Sequence, residues 1–404
     1  MHSLTRTFPA PGDSPGRVLF VVSDLGKNGI TVYVKTLAQA LLDRGYAVAL
    51  AATSFREGAP LNPEITQRMG MTFYPVDFPD PIRKQGSLFM APRAFADMVR
   101  IVRTFRPNVI HAQGLGVAPY AYVAAKQSGA ALVSTCHCEP PDRTRALARR
   151  FSIAMPFLNV LFGNRLIALS RDMERILSEL WSVKKDRIRL VHYGSNADHF
   201  RPPTDAERES AREAHRLKPG DFVVSIIARL EGVKKHNVLL DAAALLRSWG
   251  LPIVVLVAGE GPLRREIEQQ IEEKDLSGTV RMLGFTDARR VLWASDAFVL
   301  PSAREAFPIV VAEAMLCGVV PVRTPASGAT DQIEHGVNGY IVPFDDPHAL
   351  ARALRTLAER PALRANMAQV SLEKARKLFT TDQMIQGLIE TYESVSNGAR
   401  IQFA

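Results

Sequence analysis

The chain has 404 residues, of which 47% are hydrophobic and 23% charged, and its formal net charge is +9. That length exceeds what one hydrophobic core usually supports, so two domains are expected, with the composition of an ordinary soluble globular protein. Three cysteines do not make a disulfide framework and fit a reducing, cytoplasmic setting, and no apolar run approaches the roughly 20 residues of a membrane span.

The N-terminal stretch carries Pro9, Pro11, Gly12 and Pro15 without an apolar core. It reads as a loose tail and not as a signal peptide. Arg17–Ser23 is rich in β-branched residues and predicts a buried parallel strand. Ile30–Arg44 has helical spacing and stops against Gly45. Strands are then expected at Tyr46–Ala52, Pro107–Ala112, Ala130–Cys136, Leu166–Leu169 and Ile188–His192, with helical patterns between several of them. Residues Asn196–Asp221 hold Pro202-Pro203, a charged run and Pro219-Gly220, and read as a linker. A second series follows: strands at Phe222–Ile227, Ile253–Ala258, Thr279–Leu283, Ala297–Leu300 and Val319–Val322, and helices at Asn237–Trp249, Pro262–Glu272 and Ile309–Leu316. Alternating strands and helices imply α/β architecture, with two Rossmann-like domains facing across a cleft. The expected limits are 1–200 and 201–380.

Charge is unevenly divided between these halves. Residues 1–200 hold 25 Lys and Arg against 15 Asp and Glu, while the remainder is close to neutral. A basic first half implies an anionic partner: a phospholipid surface, a phosphorylated acceptor or, less readily, nucleic acid, for which no aromatic-basic reader motif is present. Arg143–Leu169 has a basic start and a strongly apolar continuation interrupted by Pro156. It reads either as an interfacial helix that meets an anionic membrane or as a core helix followed by a buried strand.

Chemistry concentrates in the second half, in loops after strands. Arg229 and Lys234 follow the first of these strands, and two cations there suit a diphosphate; a solvated basic loop is the plainer reading. Gly259-Glu260-Gly261-Pro262 follows the next strand, and its glycines would let backbone approach a ligand at a helix N-terminus or simply make a tight turn. Gly284-Phe285 offers an edge for a base. Glu305 and Glu313 bracket Ala306-Phe307-Pro308-Ile309-Val310-Val311-Ala312, with Pro308 suited to a helix start and Glu313 in an apolar run where an unpaired carboxylate is costly. In the first half, His137 ends a strand between Cys136 and Cys138. Three adjacent residues of these types lack zinc spacing, and no metal site is expected.

Taken together, Arg229, Lys234, Gly-Glu-Gly-Pro at 259–262, Gly284-Phe285, Pro301-Ser302, Glu305 and Glu313, continuing through Gly318, Pro321-Val322, Gly328, Gly336 and Gly339, resemble family 4 of the glycosyltransferases. The resemblance implies the GT-B architecture and a retaining, metal-independent transfer from a UDP- or GDP-sugar, with no other cofactor. It implies that Arg229 and Lys234 hold the diphosphate, that Glu313 binds the ribose and that Glu305 binds the sugar. The backbone of Phe307, Pro308, Ile309 and Val310 would face the sugar and diphosphate. No Asp-x-Asp occurs in the chain to hold a metal-bound diphosphate. In the first half, Gly26–Gly29 stands where the family has a glycine pair, with Asn28 in place of one glycine and Gly29 retained. His137 matches the family's histidine near the reacting centre, whereas Gln113, near His111, replaces a second one. The implied acceptor is a hydroxyl of a lipid-linked or polysaccharide-type glycan, and a final helix within about 380–404 would pack back on the first domain. A nucleotide-sugar epimerase of the same fold, a phosphorylase and a non-catalytic sugar-nucleotide binder are the competing readings.

Overall fold

The computed structural model describes residues 16–23, 25–26, 29–53, 61–78, 91–114, 116–137 and 163–396. The chain divides into two compact units. One holds the residues up to Leu169, Glu174–Val191 and the chain from Ile385; the other holds Ser170–Met173 and His192–Met384.

In chain order the first unit contains β1 (Arg17–Val22), α1 (Gly29–Leu42), β2 (Ala47–Ala52), α2 (Pro63–Arg68), β3 (Thr72–Pro75), α3 (Ala91–Phe105), β4 (Val109–Gln113), α4 (Ala118–Ser128), β5 (Ala131–Cys136) and β6 (Arg165–Ala168). Helix α5 (Arg171–Glu179) and β7 (Ile188–Leu190) follow. The strands form one parallel sheet in the order β3-β2-β1-β4-β5-β6-β7. Strand β1 is central, with Val18 to Val22 buried, which is why it reads as an unbroken apolar run instead of an alternating one. Strand β3 escapes the sequence pattern because it is an edge strand of four residues, none of them buried.

The second unit contains α6 (Asp205–Ala214), β8 (Phe222–Ile227), α7 (His236–Ser248), β9 (Ile253–Ala258), α8 (Arg264–Glu273), β10 (Val280–Gly284), α9 (Ala288–Ala294), β11 (Ala297–Leu300), α10 (Ile309–Leu316), β12 (Val320–Arg323), α11 (Ala329–Gln332) and β13 (Tyr340–Ile341). It continues through α12 (Pro347–Glu359) and α13 (Pro361–Leu378); α14 (Thr381–Ser396) closes the described chain and from Ile385 onward belongs to the first unit. Its parallel sheet runs β10-β9-β8-β11-β12-β13. Val224, Ile226, Val255, Val257 and Val299 pack with Leu239, Leu246, Leu350 and Leu354 in its core. Both units are therefore Rossmann-like, and in each the strand order reverses beside the first strand, where ligands of such sheets bind.

Two expectations are corrected here. Asn196–Asp221 is not a plain linker, because it contains α6. Thr204 and Glu207 form a reciprocal capping box, and Arg208 reaches Asp296 at 2.8 Å and the carbonyls of Trp293 and Ser295 at 3.1 and 3.3 Å. The charged run is held by ion pairs and carbonyls, so it never shows an apolar stripe. Pro262 does not open a helix either: α8 begins at Arg264 with Leu263 as N-cap, and Pro262 lies in the preceding turn.

Of the Arg143–Leu169 stretch, residues 143–162 lie outside the described residues, and Arg165–Ala168 is β6. Among the described residues, no helix is long and apolar enough to cross a membrane.

Candidate functional site

The loops after β8 and β9 are joined backbone to backbone. Ala228 N donates to Ala258 O at 3.0 Å, Leu230 N to Glu260 O at 3.0 Å, and Leu263 N to Leu230 O at 3.1 Å. This joining explains the two glycines. A Cβ on Gly259 would lie 2.0 Å from Ala228 O, and one on Gly261 would lie 2.4 Å from Leu230 O. Gly259 also holds φ at +138°, which side chains rarely tolerate. The close approach these glycines permit is thus to the neighbouring loop.

That frame carries both cations. Arg229 is exposed and its Nη2 lies 2.7 Å from Glu231 Oε1. Lys234 ends a short 3-10 turn, and the preceding carbonyl of Val233 accepts from Ala303 N at 2.8 Å. This bond ties the loop after β8 to the loop after β11, the two strands flanking the reversal of order. Across it, Lys234 Nζ meets Glu305 Oε1 at 2.7 Å, with both side chains largely shielded from solvent. The structure therefore brings Lys234 and Glu305 into direct contact, and it gives Arg229 a partner, Glu231, that sequence reasoning did not single out.

Glu305 is followed by Phe307, whose ring is buried and stacks on His192 at 5.1 Å between centroids, with Phe379 edge-on at 5.3 Å. The ring is packing, so only the backbone of Phe307 can serve a ligand. Pro308 is the N-cap of α10, and no side chain caps this helix. The positive end of its dipole is left for an anion or a hydroxyl. Glu313 sits inside α10 and accepts a hydrogen bond from Ser195 Oγ at 3.4 Å. Part of Glu313 remains accessible, but burial of its carboxyl pushes the pKa up to about 7, opposed by the Ser195 hydrogen bond. Phe285, just after β10, is 85% exposed.

Behind these loops lies a polar cluster that the sequence pattern concealed. Arg323, the last residue of β12, is only 1% exposed. Its Nη1 donates to Gln332 Oε1 at 2.5 Å and its Nη2 to the carbonyls of Ala326 and Ser327 at 2.8 and 3.0 Å. Gln332 Nε2 in turn donates to Pro308 O at 3.0 Å, and Thr324 Oγ1 to Ser302 O at 2.6 Å. An arginine at the end of a short strand carries no periodic signal, and only its burial reveals it.

In the first unit, Gly29 is the first residue of α1, the helix that follows β1; Asp24, Lys27 and Asn28 lie outside the described residues. His137 follows β5, and its Nε2 lies 2.7 Å from Gln113 Oε1. An amide oxygen only accepts, so Nε2 carries the proton. Tyr33 meets the His137 ring edge-on at 4.9 Å. His111 on β4 is fully buried between Tyr392 OH at 2.8 Å from Nδ1 and Thr135 Oγ1 at 2.7 Å from Nε2. Burial pushes both imidazoles down to about 3, His137 adding its charge to the effect at His111. His111 is therefore a hydrogen-bonded core group. Cys136 is buried, and Cys138 lies outside the described residues. Among the described residues, no group of three or more His, Cys, Asp or Glu is placed to hold a metal ion.

Comparison with known proteins adds to this geometry. Residues 27–199 match the family described as Glycosyltransferase Family 4, and residues 207–374 match Glycosyl transferases group 1. The chain is 30% identical over 244 residues to a D-inositol 3-phosphate glycosyltransferase of Rhodococcus erythropolis, covering 58% of this chain and 54% of that protein. It is 27% identical over 407 residues to one from Saccharomonospora viridis, covering 95% and 91%. The match thus spans about half the length of the first relative and most of the second. Among solved structures, Anabaena HepE in complex with UDP-glucose superposes with a TM-score of 0.77 at 20% identity, covering 94% of this chain and 99% of that one. A glycosyltransferase from Rickettsia africae superposes at 0.79 and 17%, covering 94% and 98%. At such identities the likeness is one of fold.

Proposed function

The chain belongs to the GT-B glycosyltransferases, carrying a family 4 domain followed by a group 1 domain, and we propose that it is a retaining enzyme that moves a sugar from a UDP- or GDP-sugar to a hydroxyl acceptor. The observation that carries this reading is the Lys234–Glu305 pair at the strand-order reversal of the second sheet, beside the uncapped start of α10.

The proposed division of labour is as follows. Arg229 and Lys234 leave their carboxylate partners for the donor diphosphate and neutralise the charge that develops as the bond to the anomeric carbon breaks. Released from Lys234, Glu305 accepts hydrogen bonds from the sugar hydroxyls, and the backbone of Phe307 to Val310 meets the sugar and the phosphate at the helix start. Glu313, as a carboxylate, accepts from the ribose hydroxyls. Phe285 lies against the base, and Gly259 and Gly261 hold the loops around the nucleotide. The acceptor oxygen attacks on the face from which the diphosphate leaves, so configuration is retained. Glu305 and Glu313 are not the acid and nucleophile of a glycosidase.

The basic first half favours an acceptor that carries or is embedded in negative charge, such as a lipid-linked or polysaccharide-type glycan intermediate at the inner face of the cytoplasmic membrane. The names of the relatives, D-inositol 3-phosphate glycosyltransferases, agree with a phosphate-bearing acceptor. Thermal shift with UDP- and GDP-sugars should identify a stabilising donor, and product analysis with candidate acceptors should then show transfer. Conversion of the donor without acceptor would indicate an epimerase, and binding without any turnover a non-catalytic binder. Flotation with anionic vesicles at low and high salt tests the membrane contact.

A further inference from the structure

Arg323 is the largest of the fully buried side chains, and it forms no ion pair within 4.0 Å among the described residues. A buried guanidinium without a contacting carboxylate is costly, and an apolar residue would fill a β12 position more cheaply. Burial pulls its pKa down to about 10, and the more distant carboxylates of Glu305, Asp172 and Asp331 oppose that shift. Its hydrogen bonds go to the two sides of the α11 turn: to Ala326 O and Ser327 O before it, and to Gln332 Oε1 at its end. Gln332 spends its amide protons on Pro308 O, the residue that opens α10, while Asn338 Nδ2 holds the carbonyl of Gln332 at 3.0 Å. Gly328, in the turn Arg323 grips, has φ +78°, and a Cβ there would lie 3.1 Å from both Ala306 O and the Phe307 ring.

We propose that Arg323 is a positioning residue for the donor's sugar: through Gln332 and the 326–328 turn it fixes Ala306 to Pro308, and its buried charge stands behind Glu305. The inference rests on the donor-site reading given above. When Lys234 turns from Glu305 to a diphosphate, Glu305 loses its contacting cation. Arg323 then remains as the nearby positive charge, and the 306–308 backbone it fixes keeps Glu305 placed for the sugar hydroxyls. It acts on the sugar half of the donor and not on the nucleotide half.

The test compares nucleotide-sugar with nucleotide affinity, using UDP, UDP-glucose, GDP and GDP-mannose on the full chain. Two variants are used. Arg323→Gln removes the charge. Gln332→Glu keeps an acceptor for Arg323 but removes the amide donor to Pro308 O, so it breaks the link to α10 while the buried guanidinium stays paired, whether or not the first variant folds well. Both should bind UDP or GDP within about 3-fold of wild type, while the extra affinity given by the sugar falls by about 10-fold or more. Transfer should fall with it, and Arg323→Lys should recover part of the loss. A purely structural role would lower both affinities together or neither. An unchanged ratio in Gln332→Glu overturns the proposal while leaving the donor site intact. A wild-type chain that binds none of the nucleotides overturns the donor-site reading itself.

Discussion

Lys234 Nζ lies 2.7 Å from Glu305 Oε1, so a cation on the loop after β8 and a carboxylate on the loop after β11 neutralise each other across the reversal of the second sheet. On the proposed reading, the donor diphosphate separates them. Lys234→Ala and Glu305→Ala should each lower kcat/KM for transfer by at least about 100-fold, with unchanged far-UV circular dichroism. Near-wild-type transfer by both would remove the pair from the site.

Arg229 is paired with Glu231 in the same manner but in a more exposed setting. Breaking that competition should help the nucleotide. Glu231→Ala is expected to tighten UDP or GDP binding by no more than about 5-fold, since an exposed pair is worth under about 1 kcal/mol. Titration calorimetry decides it, and weaker binding would mean that Glu231 orients Arg229 instead of competing for it.

The pKa of Glu313 is raised to about 7 by burial, so the carboxylate is the minor form below that pH and the major form above it. Ribose recognition by a carboxylate should therefore improve as pH rises from 6 to 8. The phosphate also titrates, so the useful quantity is the affinity ratio of wild type to Glu313→Gln. That ratio should climb across the window, and a flat ratio would count against a ribose role.

His111 is neutral in the fold, pushed down to about 3 by burial and by His137. An unfolded histidine titrates near 6.5. Between those values the unfolded chain holds the extra proton, so stability present above pH 6.5 is lost progressively as pH falls towards 3. His111→Gln should flatten the stability-versus-pH slope over that window by about 1.4 kcal/mol per pH unit, measured by urea denaturation between pH 6 and 4.5.

Gly261 and Gly232 make a matched pair. A Cβ at Gly261 would overlap the backbone of Leu230, whereas one at Gly232 would meet nothing within 4 Å. Gly261→Ala should lower stability by about 1–3 kcal/mol and weaken nucleotide binding, because it pries apart the loops after β8 and β9. Gly232→Ala should change stability by less than about 1 kcal/mol. Equal effects would mean that the joined loops do not bear on the site.

Where the sequence was legible, a continuous apolar strand was followed at once by a chemically distinctive loop. Strands β8, β9 and β11 are buried along almost their whole length, so their ends, and with them Lys234, Gly259 and Glu305, could be placed from pattern alone. The elements that escaped lack that signature. Strand β13 has only two residues, and α6 has six charged residues in ten, with Ala211 its only buried residue. Arg323 and Glu231 were invisible for a different reason. Arg323 bonds to groups three to nine residues further on, out of strand period, and Glu231 lies two residues from Arg229 in an irregular loop, where spacing alone does not fix a pairing.

The capping box of α6 has a practical reach beyond the fold. Arg208 and Arg212 close on Asp296 and on the carbonyls of Trp293 and Ala294, and Asp296 also receives the amide of Val223 at the head of β8. A truncated version of the second unit that begins at the first strand would strip those carbonyls of their donors and leave Asp296 half-satisfied. Cloning boundaries for an isolated second half therefore belong upstream of Thr204, although the composition of that stretch invites a cut inside it.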